Sequence, residues 1–291
     1  MIPRSFEYFA PRTFDEAISL LQKLGPEAKI LSGGQSLIPM MKLRLAAPPY
    51  IIDINRILSL NYISEHNGFL KIGALARESD LEVSPTVISR YPILVDTTSV
   101  IADPLVRNQA TVCGNLAHGD PANDHPATML ALGATIIAAG PGGEREIPVE
   151  SFFPGLFTTA LQLDEILKEI RVPIPPPSSG GAYLKLERKV GDYATAGVAV
   201  QITVNDAGVC QRAGIGLTNV GLAPLKATKA EAFLAGKALD QSTIKQAAEL
   251  AAGESQPIDD IRGSADYKRD LVRVLTARAL NRAFERTKGG V

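Results

Sequence analysis

The segment Pro173-Ile-Pro-Pro-Pro-Ser-Ser-Gly-Gly181 limits the fold more than any other feature of the sequence. Proline fixes φ and has no amide donor, so neither a helix interior nor a central strand runs through such a cluster. The run reads as a linker dividing a chain of 291 residues, long enough for two or three cores, into a longer leading and a shorter trailing part. The expected division is 1–175, itself split into about 1–55 and 56–175, followed by 178–291.

Each part has its own texture. Thr13-Phe-Asp-Glu16 is a capping box opening a helix, with Phe14, Ala17, Ile18, Leu21 and Leu24 at helical spacing and Gly25-Pro26 as its stop. Ala28–Leu31 and Tyr50–Ile54 read as neighbouring strands, which makes this opening α/β in character. In the middle, Phe69–Ala74 reads as a strand and Ser79–Val83 as a helix start, while Ile101–His125 is loop-rich. Pro126–Leu132 fits a helix capped by Asp124 or His125, with Gly133 past its end. Thr135–Ala139 and Arg145–Val149 form a hairpin about Gly140-Pro-Gly-Gly143. Beyond the linker, Gly197–Val204 and Val209–Leu217 bracket the hairpin turn Asn205-Asp-Ala-Gly208. Helical patterns follow at Lys226–Ala235, Thr243–Ala252 and Ala265–Lys288, the last packing Leu271, Val274, Leu275, Arg278 and Leu280 on the sheet. The order argues for an α+β chain of three consecutive subdomains.

Charge and cysteine usage narrow the function. Thirty basic against thirty-one acidic residues leave a net charge of -1, without a Lys/Arg run, so no nucleic-acid partner is expected. Two cysteines, Cys113 and Cys210, are too few for an iron–sulfur cluster and do not make a disulfide scaffold. Arg4 and Glu7 stand where a signal peptide needs an apolar stretch, and the apolar segment Ala127–Ala139 is too short to span a bilayer. The expectation is a cytoplasmic protein, with any association with the inner face of the membrane made through an electron acceptor.

Two short glycine-bearing segments carry the chemistry. Adjacent glycines in Ser32-Gly-Gly-Gln-Ser36 allow positive φ and point several amides at one place, which suits a diphosphate. Thr111-Val-Cys-Gly-Asn115 repeats the pattern with backbone freedom at Gly114. A Rossmann site for NAD would find its ribose carboxylate in Asp53, twenty positions after Gly33. Against it, the glycines do not form G-x-G-x-x-G, and Pro39 interrupts the helix that should begin there. His118, Asp120, Asp124 and His125 are ligand types suited to a hydrolytic zinc site; the preferred reading is a rigid loop whose Asp and His cap the next helix. His66, beside Asn67-Gly68, reads as an exposed turn residue.

Over essentially its whole length the chain resembles the FAD-binding medium subunits of the molybdenum hydroxylases. The resemblance is carried by Leu31–Leu45, Ile101-Ala-Asp-Pro104, Thr111–Pro126, Lys185–Ala194 and Gly216–Val220, and is strongest toward the carbon monoxide dehydrogenase type. It implies an FAD-binding fold of two α/β-type subdomains (PCMH or vanillyl-alcohol-oxidase-like), followed by an antiparallel sheet with helices. It further implies that Ser32, Gly33, Gly34, Gln35, Ser36 and Leu37, with Thr111, Val112, Cys113, Gly114 and Asn115, grip the FAD pyrophosphate. Asp124 matches an acidic residue hydrogen-bonded to the cofactor, and Ile101 and Leu167 match apolar neighbours of the isoalloxazine ring. Lys185 matches a flavin-binding lysine, and Tyr193 an aromatic position beside the ring. A flat apolar ring favours such aliphatic and aromatic neighbours, and a nearby cation tunes its potential.

In this family a large subunit with a molybdenum cofactor hydroxylates the substrate, and a small subunit with two [2Fe-2S] clusters relays electrons. The medium subunit's FAD passes them to an external acceptor, in a dimer of heterotrimers. The implied role is therefore electron transfer, with no acid–base or nucleophilic catalytic residue and no metal in this chain; a Rossmann dehydrogenase or a cofactor-less interaction subunit is the alternative. Two positions depart from the family pattern. Cys113 stands where Gly is usual, which narrows the backbone angles and crowds the diphosphate, and Gln35 stands where the carbon monoxide dehydrogenase type often has His.

Overall fold

A computed structural model describes residues 2 to 289. The first unit is built from β1 (Glu7–Phe9), α1 (Phe14–Leu24), β2 (Ala28–Leu31), α2 (Leu37–Leu43) and β3 (Tyr50–Asp53). The capping box forms as its spacing predicts: the Glu16 amide donates to the Thr13 hydroxyl at 3.2 Å, and the Glu16 carboxylate accepts the Thr13 amide. α1 then buries Ala17, Ile18 and Leu21. The strands form a parallel sheet in the order β1-β3-β2. Pro39 does not interrupt the helix after the glycines, contrary to expectation. It is the third residue of α2, within the first turn, where an amide donor has no intrahelical partner to lose.

The middle unit holds β4 (Ile63–His66), β5 (Phe69–Gly73), α3 (Glu78–Val83), α4 (Pro85–Arg90), α5 (Pro92–Ser99), α6 (Pro104–Arg107), α7 (Val112–Ala117), α8 (Asp124–Leu132), β6 (Thr135–Gly140), β7 (Gly143–Pro148) and β8 (Ile166–Pro173). Its strands pair antiparallel throughout, in the order β4-β5-β8-β6-β7. The stretch read as loop-rich contains two helices, because Asp103 caps α6 through the Val106 amide (3.0 Å) and Thr111 caps α7 through that of Gly114 (3.2 Å). The second glycine segment is thus a helix start and not a loop. α8 begins at Asp124, two residues before the predicted Pro126, with Asn123 as its N-cap; neither Asp124 nor His125 caps it.

The last unit comprises β9 (Ser179–Leu186), β10 (Ala196–Val204), β11 (Cys210–Thr218), β12 (Leu225–Lys226), α9 (Thr228–Leu234), α10 (Gln241–Glu254) and α11 (Ala265–Thr287). The antiparallel order is β12-β11-β10-β9. The linker is shorter than its composition indicates. Pro173 closes β8 opposite Phe69, and Ser179–Gly181 pair with Thr203–Gln201, so only residues 174–178 connect the sheets. A proline at a strand end needs no donor, which is why the first of the run is tolerated there. α11 buries Val272, Leu275, Ala279, Leu280 and Ala283, whereas Val274 and Arg278 of the predicted stripe are exposed. Small alanines on the packed face hid the true stripe.

α8 joins the units. All nine of its residues are buried, as expected of a helix without a polar face. It lies directly on β11: a Cβ on Gly216 would sit 1.9 Å from the Ala127 carbonyl oxygen, and one on Gly214 would sit 2.0 Å from that of Ala131. A second tie is Asp96 of α5, which accepts from Arg286 at 2.6 and 3.1 Å and from the Tyr183 amide at 3.2 Å. Among the described residues, no helix is long and apolar enough to cross a membrane.

Candidate cofactor site

A cavity of about 840 Å³ opens where the three units meet, at the upper part of the range usual for cofactor sites. It gathers Ser32, Gly33, Gly34, Gln35, Ser36, Leu37, Ile101, Thr111, Cys113, Gly114, Asn115, Asp124, Leu167, Lys185 and Tyr193. Val112 of the predicted set is not among them. As the first residue of α7 it is fully buried in the hydrophobic core.

One end is made of backbone. The turn after β2 and the start of α7 press together, so that a Cβ on Gly33 would stand 2.5 Å from the Gln109 carbonyl oxygen and 2.8 Å from the Ala110 Cα. Gly34 takes φ +74, open to glycine without strain. Ser32 and Thr111 hydroxyls meet at 3.0 Å and fix the two segments to each other. Among the described residues, the amides of Gly34, Gln35 and Ser36 donate to no other group, and the buried Asn115 Oδ1 has no partner. A buried oxygen without a partner is costly unless something in the cavity satisfies it, and the three part-exposed amides are free to bond an occupant. Gln35 is exposed and folds back on the Gly33 carbonyl.

Cys113 does not crowd this end. It adopts helical backbone angles and is 2% exposed, with its thiol directed at the Ile72 carbonyl of β5 at 3.5 Å. Burial pushes the thiol well above its ordinary pKa, so it is an inert packing group.

The other end is made of side chains. Ile101, Leu161, Leu167 and Phe157 form an apolar wall, and Tyr193 stands at the mouth, 43% exposed. Two wall residues, Ala102 and Phe157, hold positive φ (+45° and +49°), a strain that clusters at functional sites. Lys185 of β9 is buried and not a surface charge: its Nζ lies 3.1 Å from Asp124 Oδ2, 3.4 Å from Glu187 and 3.1 Å from the Asp192 carbonyl. Asp124 Oδ1 accepts from the Tyr183 hydroxyl at 2.5 Å. Burial raises the Asp124 carboxyl above the usual aspartate range, with Lys185 and Tyr183 pulling it back, and burial likewise pushes the Tyr183 phenol well up. Asp192 behaves oppositely. Its burial is outweighed by hydrogen bonds from Arg262, Arg188 and the Tyr193 amide, which lower it to about 2.

The residues that an NAD or a zinc site would use, both disfavoured by the sequence, have other partners. Asp53 lies outside the cavity wall and is engaged by Tyr8 (2.5 Å) and by both nitrogens of Asn55, so it is not placed as a ribose ligand. The four would-be zinc ligands face different partners. His125 pairs with Glu78 at 2.6 Å, Asp124 with Lys185, Asp120 with the Ala122 amide, and the His118 ring lies tilted beside that of Phe157. Among the described residues, no group of three or more His, Cys, Asp or Glu is placed to hold a metal ion.

Tyr183, Asn123, Asp192 and Arg262 escaped the sequence reading. Tyr183 had a signal: it stands two residues before Lys185 in a strand, hence on the same face. Asn123 and Arg262 had none, since their partners Asn115 and Asp192 are brought near by folding alone.

Comparison with known proteins agrees with this geometry. Residues 4–175 match the family described as FAD binding domain in molybdopterin dehydrogenase, and residues 181–283 the CO dehydrogenase flavoprotein C-terminal domain. The carbon monoxide dehydrogenase medium chain of Hydrogenophaga pseudoflava is 45% identical, over 98% of this chain and 99% of its own. That of Afipia carboxidovorans is 43% identical, over 99% and 100%. A solved structure of the Hydrogenophaga pseudoflava enzyme, lacking the Mo-pyranopterin moiety of its cofactor, superposes with a TM-score of 0.95 and 47% identity, covering 98% of this chain and 99% of that one. The backbone-lined end, the apolar end and these likenesses agree, and the chain belongs to the FAD-binding medium subunits of the molybdenum hydroxylases, with carbon monoxide dehydrogenase medium chains among its near relatives.

Proposed function

We propose that this chain holds FAD across the cavity, pyrophosphate on the Gly33–Ser36 and Thr111–Asn115 segments and isoalloxazine ring against Ile101, Leu167 and Tyr193. The observation that carries the reading is the juxtaposition of two glycine-bearing segments, Gly33 against Gln109–Thr111, with unpaired amides and the unpaired Asn115 oxygen on the cavity wall. The amides of residues 34–36 are donors that suit an anionic diphosphate, the Asn115 oxygen accepts from an O–H or N–H of the cofactor, and the apolar walls suit a flat ring.

Bound FAD supplies electron-transfer chemistry that no side chain of this protein offers. The protein's residues bind and orient. The buried Lys185, anchored by Asp124 and the Asp192 carbonyl, places a positive charge beside the ring end. Tyr183 keeps Asp124 in place, and the apolar wall excludes water there.

On this reading the chain is the electron-transferring medium subunit of an oxidoreductase complex. It receives electrons from [2Fe-2S] clusters of a small partner subunit, while a large subunit with a molybdenum cofactor acts on the substrate, in a dimer of heterotrimers. The relatives' names as medium chains support such an assembly. The same reading places the FAD-binding domain in residues 1–175 and the sheet-plus-helices domain in 178–291, in the cytoplasm.

The test is a visible absorption spectrum of the purified chain, repeated with partner subunits, and mass analysis of the nucleotide released on denaturation. Flavin bands with released FAD are expected. A colourless complex would overturn the reading.

A further inference from the structure

The segment 188–193, which carries Tyr193, has little holding it from within. Among the described residues, its Gly191, Asp192 and Tyr193 amides donate only to nearby groups: Glu187 Oε1, the Lys189 carbonyl and Asp192 Oδ1. Gly191, at φ +81, is pressed against Ala102, where a Cβ would stand 2.8 Å from the carbonyl oxygen.

The tie to the rest of the protein runs through Asp192. Its Oδ1 accepts from Arg262 Nη2 at 3.1 Å, and its Oδ2 from Arg188 Nε at 3.0 Å. Its carbonyl receives the Lys185 ammonium. Arg262 comes from the turn before α11, and that turn is braced. Asp260 Oδ1 accepts from the amides of Arg262 (2.8 Å) and Gly263 (3.2 Å), and its Oδ2 lies 2.7 Å from Lys268, which is 1% exposed. The guanidinium also lies 5.6 Å from the centre of the Tyr193 ring. A planar guanidinium can bond a carboxylate and lie beside an aromatic ring at once, which an ammonium does less well.

We propose that Arg262 is a positioning residue of the cofactor site: from the C-terminal unit it holds Asp192, and through it the Tyr193 ring and the carbonyl that orients Lys185, at the apolar end of the cavity. The proposal rests on the reading of that cavity as the FAD site. Arg262 does not itself line the cavity, so it acts only through the segment it holds.

The experiment uses the full chain as wild type, Arg262→Ala, Arg262→Lys and, as a control, Arg273→Ala, whose partner Glu249 lies on the outer face of α10. Amide hydrogen exchange without flavin is compared for residues 187–194 and 197–204, and FAD is then titrated by absorbance and fluorescence. Arg262→Ala is expected to raise exchange in 187–194 about tenfold while leaving 197–204 unchanged. It is also expected to weaken FAD binding about tenfold and to alter the flavin spectrum, as loss of preorganisation requires. Arg262→Lys reverses only part of both effects, since an ammonium keeps the charge but not the planar contact with the Tyr193 ring, and Arg273→Ala behaves as wild type. Unchanged exchange in 187–194, an equal rise throughout the sheet, or increased exchange with unchanged FAD affinity and spectrum would each overturn the proposal. A wild-type chain that takes up no FAD, alone or with its partners, overturns the FAD reading, while the exchange data still decide whether Arg262 holds the segment.

Discussion

The two ends of the cavity are built on opposite plans. At one end, residues 32–36 and 111–115 present mainly backbone, held by close contact between two short segments and by the Ser32–Thr111 hydroxyl pair. At the other, Asp124, Lys185, Tyr183 and Asp192 are side chains from α8, β9 and the segment beyond it, held by buried charge. The first plan recognises an anion by shape and amide direction. The second fixes charges around a ring and depends on the docking of two units. Backbone sites fail when space is filled, and charge sites fail when a partner is removed.

The contrast can be broken most sharply at Asp124. Replacing it with alanine leaves the buried Tyr183 hydroxyl only the long 3.4 Å contact with Thr218 and leaves Lys185 with weaker partners, at a cost of about 3 kcal/mol or more, measured by urea unfolding. Asp124→Asn keeps an acceptor for Tyr183 and is expected to cost less. A loss below about 1 kcal/mol for alanine would show that buried charge does not organise this end.

Gly33→Ala attacks the backbone end by volume. Its Cβ meets backbone atoms of residues 109–111 at 2.5 to 2.9 Å, so the segments must part, at about 1–3 kcal/mol. The flavin-to-protein ratio by absorbance is expected to fall to about a tenth of the wild-type value. Retention of full flavin would detach the two segments from cofactor binding.

Acid sharpens the comparison further. The folded-state pKa of Asp192 is lowered from the usual 3.8 to about 2, so its contribution is present above the usual value and is lost as pH falls toward 2. In chemical unfolding across that range, the stability gap between wild type and Asp192→Asn is expected to close as pH drops. A gap independent of pH would mean that the Arg188 and Arg262 pairs contribute nothing to stability.

Cys113→Gly should do least to the site. The thiol faces β5 and not the cavity, so FAD affinity is expected to stay within about twofold of wild type. The substitution costs stability by about 1 kcal/mol, since glycine loosens a helix. A large gain in affinity would restore the view that the cysteine crowds the diphosphate.

Legibility followed the same divide. Capping signals, turn glycines and apolar runs act over a few residues, so α1, β2, β3, the β6–β7 hairpin and the β10–β11 hairpin appear close to where local patterns put them. Helices of four to seven residues, such as α2, α6 and α7, were missed or misread because so short a segment has almost no periodicity to detect. α11 was found but turned, because Ala279 and Ala283 carry its packed face while the larger Val274 faces solvent.

The sequence by itself determined the glycine segments, the residue types of the site and the two hairpins, because each depends on near neighbours along the chain; the pairing of β5 with β8, about 100 residues apart, did not follow from it. Tertiary structure decided that Cys113 turns into the core, that Lys185 is buried against Asp124, and that Asp192 meets Arg262 from 70 residues away. Those outcomes depend on burial and charge pairing between distant segments. Such energies arise only once α8 is seated on the glycines of β11 and the three units close on one cavity.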